Sequence, residues 1–293
     1  MLLRSLLFAP GHRARFYEKM LELRPDAVIL DLEDAVSPPE KSLARETIRQ
    51  RLGGPLLAGL TVFARVNPVG TPFFRDDVRG VVAPGLAGIF LPKVESADQL
   101  REANMALAQA EVRIGLELGS VRLVPMLETV KGVLGAQELA AAAPRVLAVA
   151  FGSEDFSLDL GVQRSPEGIE TRYPRAAVAL AARAASVLAI DTPWSDIADQ
   201  AGLLRETREA RQLGYTGKQA IHPSQVPAIN EVFTPSADEL EHARRVVQAY
   251  EDAVSRGSGA IQLEGKLIDV PMAERSRRLL ALAEEIARLD GSP

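Results

Sequence analysis

Five apolar runs in this sequence end in side chains that do chemistry. "AVILDLED" ends in Asp31, Glu33 and Asp34, "FARVN" in Arg65 and Asn67, "GIFLPKV" in Lys93, "RLVPMLE" in Glu128, and "VLAVAFGSED" in Glu154 and Asp155. A carboxylate that follows a buried run is costly unless it is paired or holds an ion. Glu128 is the sharpest case, because Pro125 and Met126 lie within its run and a solvent-facing role explains it poorly. Several inward carboxylates in a chain with 3 histidines point to a hard divalent cation. Mg2+ takes oxygen ligands, uses one or two carboxylates, and completes its octahedron with substrate and water. Glu128 with either Glu154 or Asp155 meets that need, and the same pair could instead exchange protons without a metal. Arg65 beside them suits an anionic substrate, since a guanidinium meets a carboxylate with two parallel bonds. Metal and arginine together would hold an α-keto acid or its enolate, where negative charge gathers on one oxygen. That is carbon–carbon chemistry next to a carbonyl.

Each of these residues also has a plainer reading. Acids at strand ends often cap the next helix, and Asp34 and Asp191 suit that role as well as catalysis. Arg65 and Lys93 could pair with neighbouring acids, although burying such pairs gives doubtful net stability. Asp159 reads as ordinary loop polarity, and Glu154 as either a neighbour of the cation site or a surface group. His12 in "PGHRARF" could bind phosphate or cap a helix, His222 ends a strand, and His242 lies on an exposed-looking helix. No H-E-x-x-H or G-x-S-x-G occurs, which disfavours zinc and serine hydrolysis. The absence of cysteine excludes disulfides, thiolate metal sites and thiol nucleophiles.

Eight short apolar runs bounded by Pro or Gly must position these groups: "SLLFAPG", "AVILDLED", "TVFARVN", "GIFLPKV", "RLVPMLE", "VLAVAFG", "VLAID" and "GKQAIHP". Helical periodicity fills most gaps, over Ala14–Leu23, Glu40–Leu52, Ser96–Ala110, Thr129–Ala141, Tyr173–Ser186 and Asp199–Leu213. Continuous apolar strands alternating with helices suit a parallel sheet covered on both faces, and eight of them close a (β/α)8 TIM barrel. An open doubly wound sheet is the alternative, but no G-x-G-x-x-G follows the first strand. "PVGTPFFRDDVRGVV" gives only a short helix, and "VRIGLELGS" either finishes a helix or adds a strand. The barrel is expected over residues 1–235. A C-terminal extension over 236–293 follows, with a helix Ser236–Ser255, a hairpin or arm, and a helix Pro271–Leu289.

Composition sets outer limits. At 293 residues, 47% apolar and 25% charged, the chain is ordinary globular protein. A net charge of −5 without basic blocks argues against nucleic acid. No run is long and apolar enough for a membrane span and none reads as an export signal, so a cytoplasmic protein is expected.

Taken in order, "SLLFAPG", "DAVILDLEDAV", "FARVN", "GIFLPKVES", "VPMLET", "FGSEDFSLDLG", "RSPEG", "GKQAIHPSQV" and "EGKLIDVPM" resemble the citrate lyase beta-subunit-like branch of the HpcH/HpaI aldolase superfamily. The resemblance runs from Arg4 to about Met272. It implies a barrel of the phosphoenolpyruvate/pyruvate-binding type, a homotrimer or hexamer, and Mg2+ at the strand ends. It implies Glu128 and Asp155 as metal ligands, with Glu154 the alternative, and Arg65 as the group that holds the keto acid and steadies charge. Glu33 and Asp34 would order waters and Arg65. Asp269 of "KLIDVPM" would reach a neighbouring subunit's site as acid/base, and Arg13 and Arg15 would contact phosphates of coenzyme A. The implied reaction is cleavage of a citryl, malyl or citramalyl thioester, on coenzyme A or an acyl-carrier protein, the latter with citrate lyase alpha and gamma partners. The "EGKLIDVPM" tail favours a self-contained coenzyme A lyase. A malyl- or citramalyl-CoA thioesterase and a non-catalytic barrel are the competing readings.

Overall fold

The structure is a computed structural model that describes residues 1–13, 23–54, 57 and 59–290. Two compact units divide the chain, Leu3–Glu231 and Val232–Pro293 with Met1–Leu2.

The larger unit is a closed barrel of eight parallel strands in sequential order. They are β1 (Ser5–Pro10), β2 (Ala27–Asp31), β3 (Thr61–Arg65), β4 (Leu86–Leu91), β5 (Arg122–Leu127), β6 (Ala148–Phe151), β7 (Leu188–Asp191) and β8 (Gly217–Ala220). Leu6 closes the ring, aligned with Ala27 on one side and Gln219 on the other. Every apolar run read from the sequence is one of these strands. Inside lie Leu6, Ile29, Phe63, Phe90, Val124, Met126, Ala148, Ala150 and Ile190, all buried. Phe63 and Phe90 meet edge to face at 5.4 Å, and each aromatic ring so buried stabilises the fold by about 2–3 kcal/mol. Gly217 opens β8 because its neighbours leave no room: a Cβ there would lie 1.7 Å from the Leu3 carbonyl oxygen.

The helices among the described residues of this unit are α1 (Lys41–Arg51), α2 (Phe74–Val81), α3 (Ala97–Ile114), α4 (Val130–Leu134), α5 (Ala136–Ala140), α6 (Ser153–Leu160), α7 (Ile169–Ala184) and α8 (Gln200–Leu213); α9 (Val226–Phe233) follows β8. The helix expected from Ala14 lies outside the described residues as far as position 22. Ser96 and Gln99 form a reciprocal capping box that starts α3, and left-handed Gly115 ends it. "VRIGLELGS" therefore finishes a helix and adds no strand. The single helix expected over Thr129–Ala141 is two short ones joined at Gly135, which serves as the end of one and the start of the next. α7 begins at Ile169, four residues before the expected Tyr173, and carries Pro174 in its interior.

Between the sheet and α7 and α8 lies a buried ionic cluster. Lys218 Nζ donates to Asp191 Oδ2 at 2.7 Å, to the Thr192 carbonyl at 2.6 Å and to Glu206 Oε1 at 2.6 Å. Arg175 grips both Asp191 oxygens at 3.0 Å and reaches Glu209 at 2.7 Å. Asp191 is thus a pairing residue on the outer side of the barrel, and the capping role considered for it does not hold.

The smaller unit contains α10 (Ala237–Ser255), a two-stranded antiparallel hairpin of β9 (Ile261–Leu263) and β10 (Lys266–Ile268), and α11 (Val270–Asp290). Its apolar centre is Val246, Tyr250, Ile268 and Ala273. Among the described residues no helix is long and apolar enough to cross a membrane.

Candidate active site

The mouth of the barrel is organised from β2 and β3. Asp31, the last residue of β2, accepts backbone N–H bonds from Glu33 at 2.9 Å and Ala35 at 3.0 Å, so it shapes the loop that carries Glu33 and Asp34. Its two oxygens also accept from Nε and Nη2 of Arg65, both at 2.7 Å. Burial works to raise the Asp31 carboxyl, but Arg65 and the two N–H groups outweigh it and hold the group below the usual carboxylate range. Arg65 Nη1 lies 3.0 Å from Glu33 Oε2 and 3.8 Å from Asp34, and the guanidinium stacks 5.0 Å over Phe8. The loop is braced from behind by buried Lys41, which donates to the carbonyls of Leu32 and Glu33 and to Asn67 Oδ1 at 2.7, 3.0 and 2.8 Å.

Glu128 leaves β5 into the same space and is 1% exposed. Oε1 accepts the Lys93 backbone N–H at 2.8 Å, while Oε2 packs over Gly152, where a Cβ would come within 2.5 Å. Only glycine after β6 leaves the carboxylate this position. Burial, then the nearby Asp155 and Glu33 charges, push the Glu128 carboxyl up to about 8, against a smaller opposing pull from Arg65. Asp155 sits in the first turn of α6, where the helix N-terminus favours an acid, and is 32% exposed. Lys93 completes the group, with Nζ 2.7 Å from Glu33 Oε1 and 3.9 Å from Asp155 Oδ1.

Asp31, Asp34, Arg65, Glu128, Glu154 and Asp155, with Phe8 among others, line a cavity of about 490 Å³. The donor set fits Mg2+: two carboxylates on adjacent strand ends, one held at a single oxygen, with room left for water and a ligand. Among the described residues no group of three or more His, Cys, Asp or Glu side chains converges as a metal site. An ion here would depend on substrate and water for its remaining ligands.

The other expected residues fall as follows. Glu154 is 58% exposed and pairs with Arg164 at 3.2 Å. Asp159 is more than loop polarity, since its carboxylate accepts the Val130 N–H at 2.7 Å at the start of α4. Asp34 is exposed beside Arg65. Arg13 lies in the loop after β1 and donates from Nε to His12 Nε2 at 3.1 Å; Arg15 lies outside the described residues. Asp269 belongs to the smaller unit, where Oδ1 accepts the Met272 N–H at 3.3 Å at the start of α11. Gln219, not among the expected residues, is also a cavity wall residue, and its amide donates to the carbonyls of Phe151 and Asp191 at 2.9 and 3.0 Å. Equally unexpected is the Ser153–Thr192 hydroxyl contact at 2.7 Å. Position in "GKQAIHP" was the one signal for the glutamine, and nothing in the sequence pairs Ser153 with Thr192.

Fold and mouth together define a (β/α)8 barrel with an acidic site at the C-terminal ends of its strands, where barrel enzymes keep their chemistry. Residues 4–223 match the HpcH/HpaI aldolase/citrate lyase family. Citrate lyase subunit beta from Haemophilus influenzae is 35% identical over 96% of this chain and 97% of its own length. A (3S)-malyl-CoA thioesterase from Cereibacter sphaeroides is also 35% identical, over 99% and 97%. The crystal structure of the protein CitE from Mycobacterium tuberculosis, in complex with magnesium, acetoacetate and coenzyme A, superposes with a TM-score of 0.79 at 31% identity, covering 96% of this chain and 97% of that one. The chain belongs to the HpcH/HpaI aldolase/citrate lyase family.

Proposed function

We propose that this protein is a Mg2+-dependent carbon–carbon lyase acting on a 3-hydroxyacyl thioester that carries a further carboxylate, of the citryl, malyl or citramalyl type. The observation that carries the reading is the Glu128 and Asp155 pair: two acids on successive strand ends of one cavity, beside an arginine oriented by Asp31. Its relationship to citrate lyase subunit beta and to a structure holding magnesium, acetoacetate and coenzyme A supports the same reaction class.

Mg2+, when bound, supplies a Lewis acid that favours negative charge on the keto-acid oxygen. Glu128 and Asp155 hold the ion, Glu33 and Asp34 orient Arg65 and bound water, and Arg65 meets the substrate carboxylate with the N–H groups that Asp31 leaves free. The substrate hydroxyl gives its proton to the bound water that Glu33 and Asp34 orient and so to solvent, the bond between the hydroxyl carbon and the thioester α-carbon breaks, and the electron pair passes to the thioester enolate. Asp269, reaching the site from the arm of a neighbouring copy in a homotrimer or hexamer, protonates that carbon; in the condensation direction it removes the proton. Arg13 and Arg15 contact the phosphates of the coenzyme A carrier. The protein works in the cytoplasm.

The relationship to a malyl-CoA thioesterase favours a second reading, in which the same groups direct water at the thioester. Incubation with citryl-, malyl- and citramalyl-CoA, with and without Mg2+, separates the two. The lyase reading expects a keto acid and a shortened acyl-CoA in equal amounts, only with Mg2+. Free coenzyme A without keto acid would support the thioesterase. Asp269→Asn is expected to abolish turnover while leaving Mg2+ binding intact, and full activity in that variant would remove Asp269 from the mechanism.

A further inference from the structure

Lys93 touches three acids of the mouth, and the reaction scheme above gives it no task. β4 ends at Leu91, and two residues later the Lys93 backbone turns into the left-handed region, φ 54°, which residues other than glycine seldom adopt. That turn aims the Lys93 N–H at Glu128 Oε1, 2.8 Å away. The side chain runs back to β2, with Nζ 2.7 Å from Glu33 Oε1 and 3.9 Å from Asp155 Oδ1. The two ammonium contacts differ in kind: Glu33 is held in a hydrogen bond, whereas Asp155 is near enough to feel the charge but is not bonded. At 36% exposure, the Lys93 side chain has room to withdraw toward solvent, which buried Glu33 does not.

We propose that Lys93 is a built-in counter-ion that competes with the divalent cation for the mouth carboxylates and so sets the cation affinity. The proposal rests on the reading of Glu128 and Asp155 as the cation's ligands. With no divalent ion bound, Glu33 and Asp155, and Glu128 once it gives up its proton, repel one another, and the ammonium offsets part of that repulsion. A divalent ion held by Asp155 would be repelled by the ammonium, which lies 3.9 Å from the same carboxylate. That repulsion lowers affinity on the order of tenfold even at the dielectric constant of water, and more in a drier barrel mouth. Loss of the ammonium also leaves Glu33 with Arg65, 3.0 Å away, as its one ion-pair cation among the described residues, and this acts in the same direction. A lysine that served only to brace Glu33 would have the opposite sign, because its loss would loosen the site and weaken binding.

Isothermal titration of MgCl2 into the full-length wild type, Lys93→Met, Lys93→Arg and Glu128→Gln tests this. Lys93→Met is expected to bind Mg2+ about tenfold more tightly than wild type, and Lys93→Arg about as wild type. Circular dichroism checks the fold of each variant. Should Lys93→Met not fold, Lys93→Asn, whose side chain tolerates a left-handed backbone, is read for the same tightening. Unchanged or weaker binding by the folded neutral variant overturns the proposal. If Glu128→Gln abolishes binding while the neutral variant matches wild type, the cation site stands and the role of Lys93 falls. No binding by the wild type overturns both.

Discussion

Two charge clusters belong to the barrel, one outside β7 and β8 and one at the mouth, and they are satisfied to different degrees. In the outer cluster, Lys218 donates to three acceptors and Asp191 receives both Arg175 and Lys218. Burial acts to raise Asp191, yet its two cations hold it below the ordinary value. In the mouth cluster, Glu128 accepts one N–H, Glu33 Oε2 faces Arg65 without hydrogen-bond alignment, and Glu128 is pushed up to about 8. The outer cluster is complete with the residues of this chain. The mouth has an excess of carboxylate charge, which is the state expected of a site that takes up a cation and an anionic substrate.

The contrast is tested most severely by removing one member from each side. Glu128→Gln or Asp155→Asn is expected to lower Mg2+-dependent turnover by about a thousandfold or more, several kcal/mol of charge stabilisation, with the melting temperature unchanged or raised. A normal rate in both variants would refute the assignment of the pair. Lys218→Met should do the reverse, costing about 3–5 kcal/mol of stability by leaving Asp191 and Glu206 buried beside a missing charge. Chemical denaturation measures that loss, and a shift under about 1 kcal/mol would mean that the outer cluster is not the structural tie described here.

The pH dependence of stability should separate the clusters by sign. Glu128 rises from an ordinary value of 4.5 to about 8, so between those values the folded chain keeps a proton that the unfolded chain has released. Its contribution is fully present below 4.5 and is lost as pH climbs to about 8, by at most about 5 kcal/mol, and saturating Mg2+ should remove the loss. Asp191, held below its ordinary 3.8, contributes above that value and loses its contribution as pH falls further. Melts from pH 4 to 8 with a chelator and with Mg2+ report the first effect; a flat profile in the chelator would contradict it. The smallest effect belongs to Glu154. Exposed and paired with Arg164, it should tolerate Glu154→Gln with activity within a few-fold of wild type and stability within about 0.5 kcal/mol. A loss as large as that of Asp155→Asn would make Glu154 the second ligand.

Seven strands were legible because each is a largely apolar run ended by Pro, Gly or charge; β8, with Lys218 and Gln219 in it, was legible by its place in the repeat, and closure followed from the number of strands. Glu128 and the Glu154–Asp155 pair were legible as charges after such runs, and the family resemblance alone favoured Asp155 over Glu154. Contacts made across the chain were not. The Lys41 clamp on Leu32, Glu33 and Asn67 joins β2, α1 and the end of β3, and nothing local to "PPEKSLARE" marks that lysine as buried. Asp191 could pass for a helix cap because its partners, Arg175 and Lys218, lie on α7 and β8. The interior Pro174 concealed the first turn of α7, since proline usually marks a helix start. Lys93 was visible as a strand-end cation, but its left-handed backbone, which brings it to three acids at once, was not.

On the proposed reading, the mouth carboxylates hold the ion that makes carbon–carbon cleavage possible. The most direct measurement is keto-acid formation from malyl-CoA and citryl-CoA by wild type and Glu128→Gln, each at saturating Mg2+ and in chelator, with both proteins shown to be folded. Keto acid is expected from at least one thioester with wild type and Mg2+, and none in the other three conditions. Keto acid released at an undiminished rate in chelator, or by the variant, would contradict it.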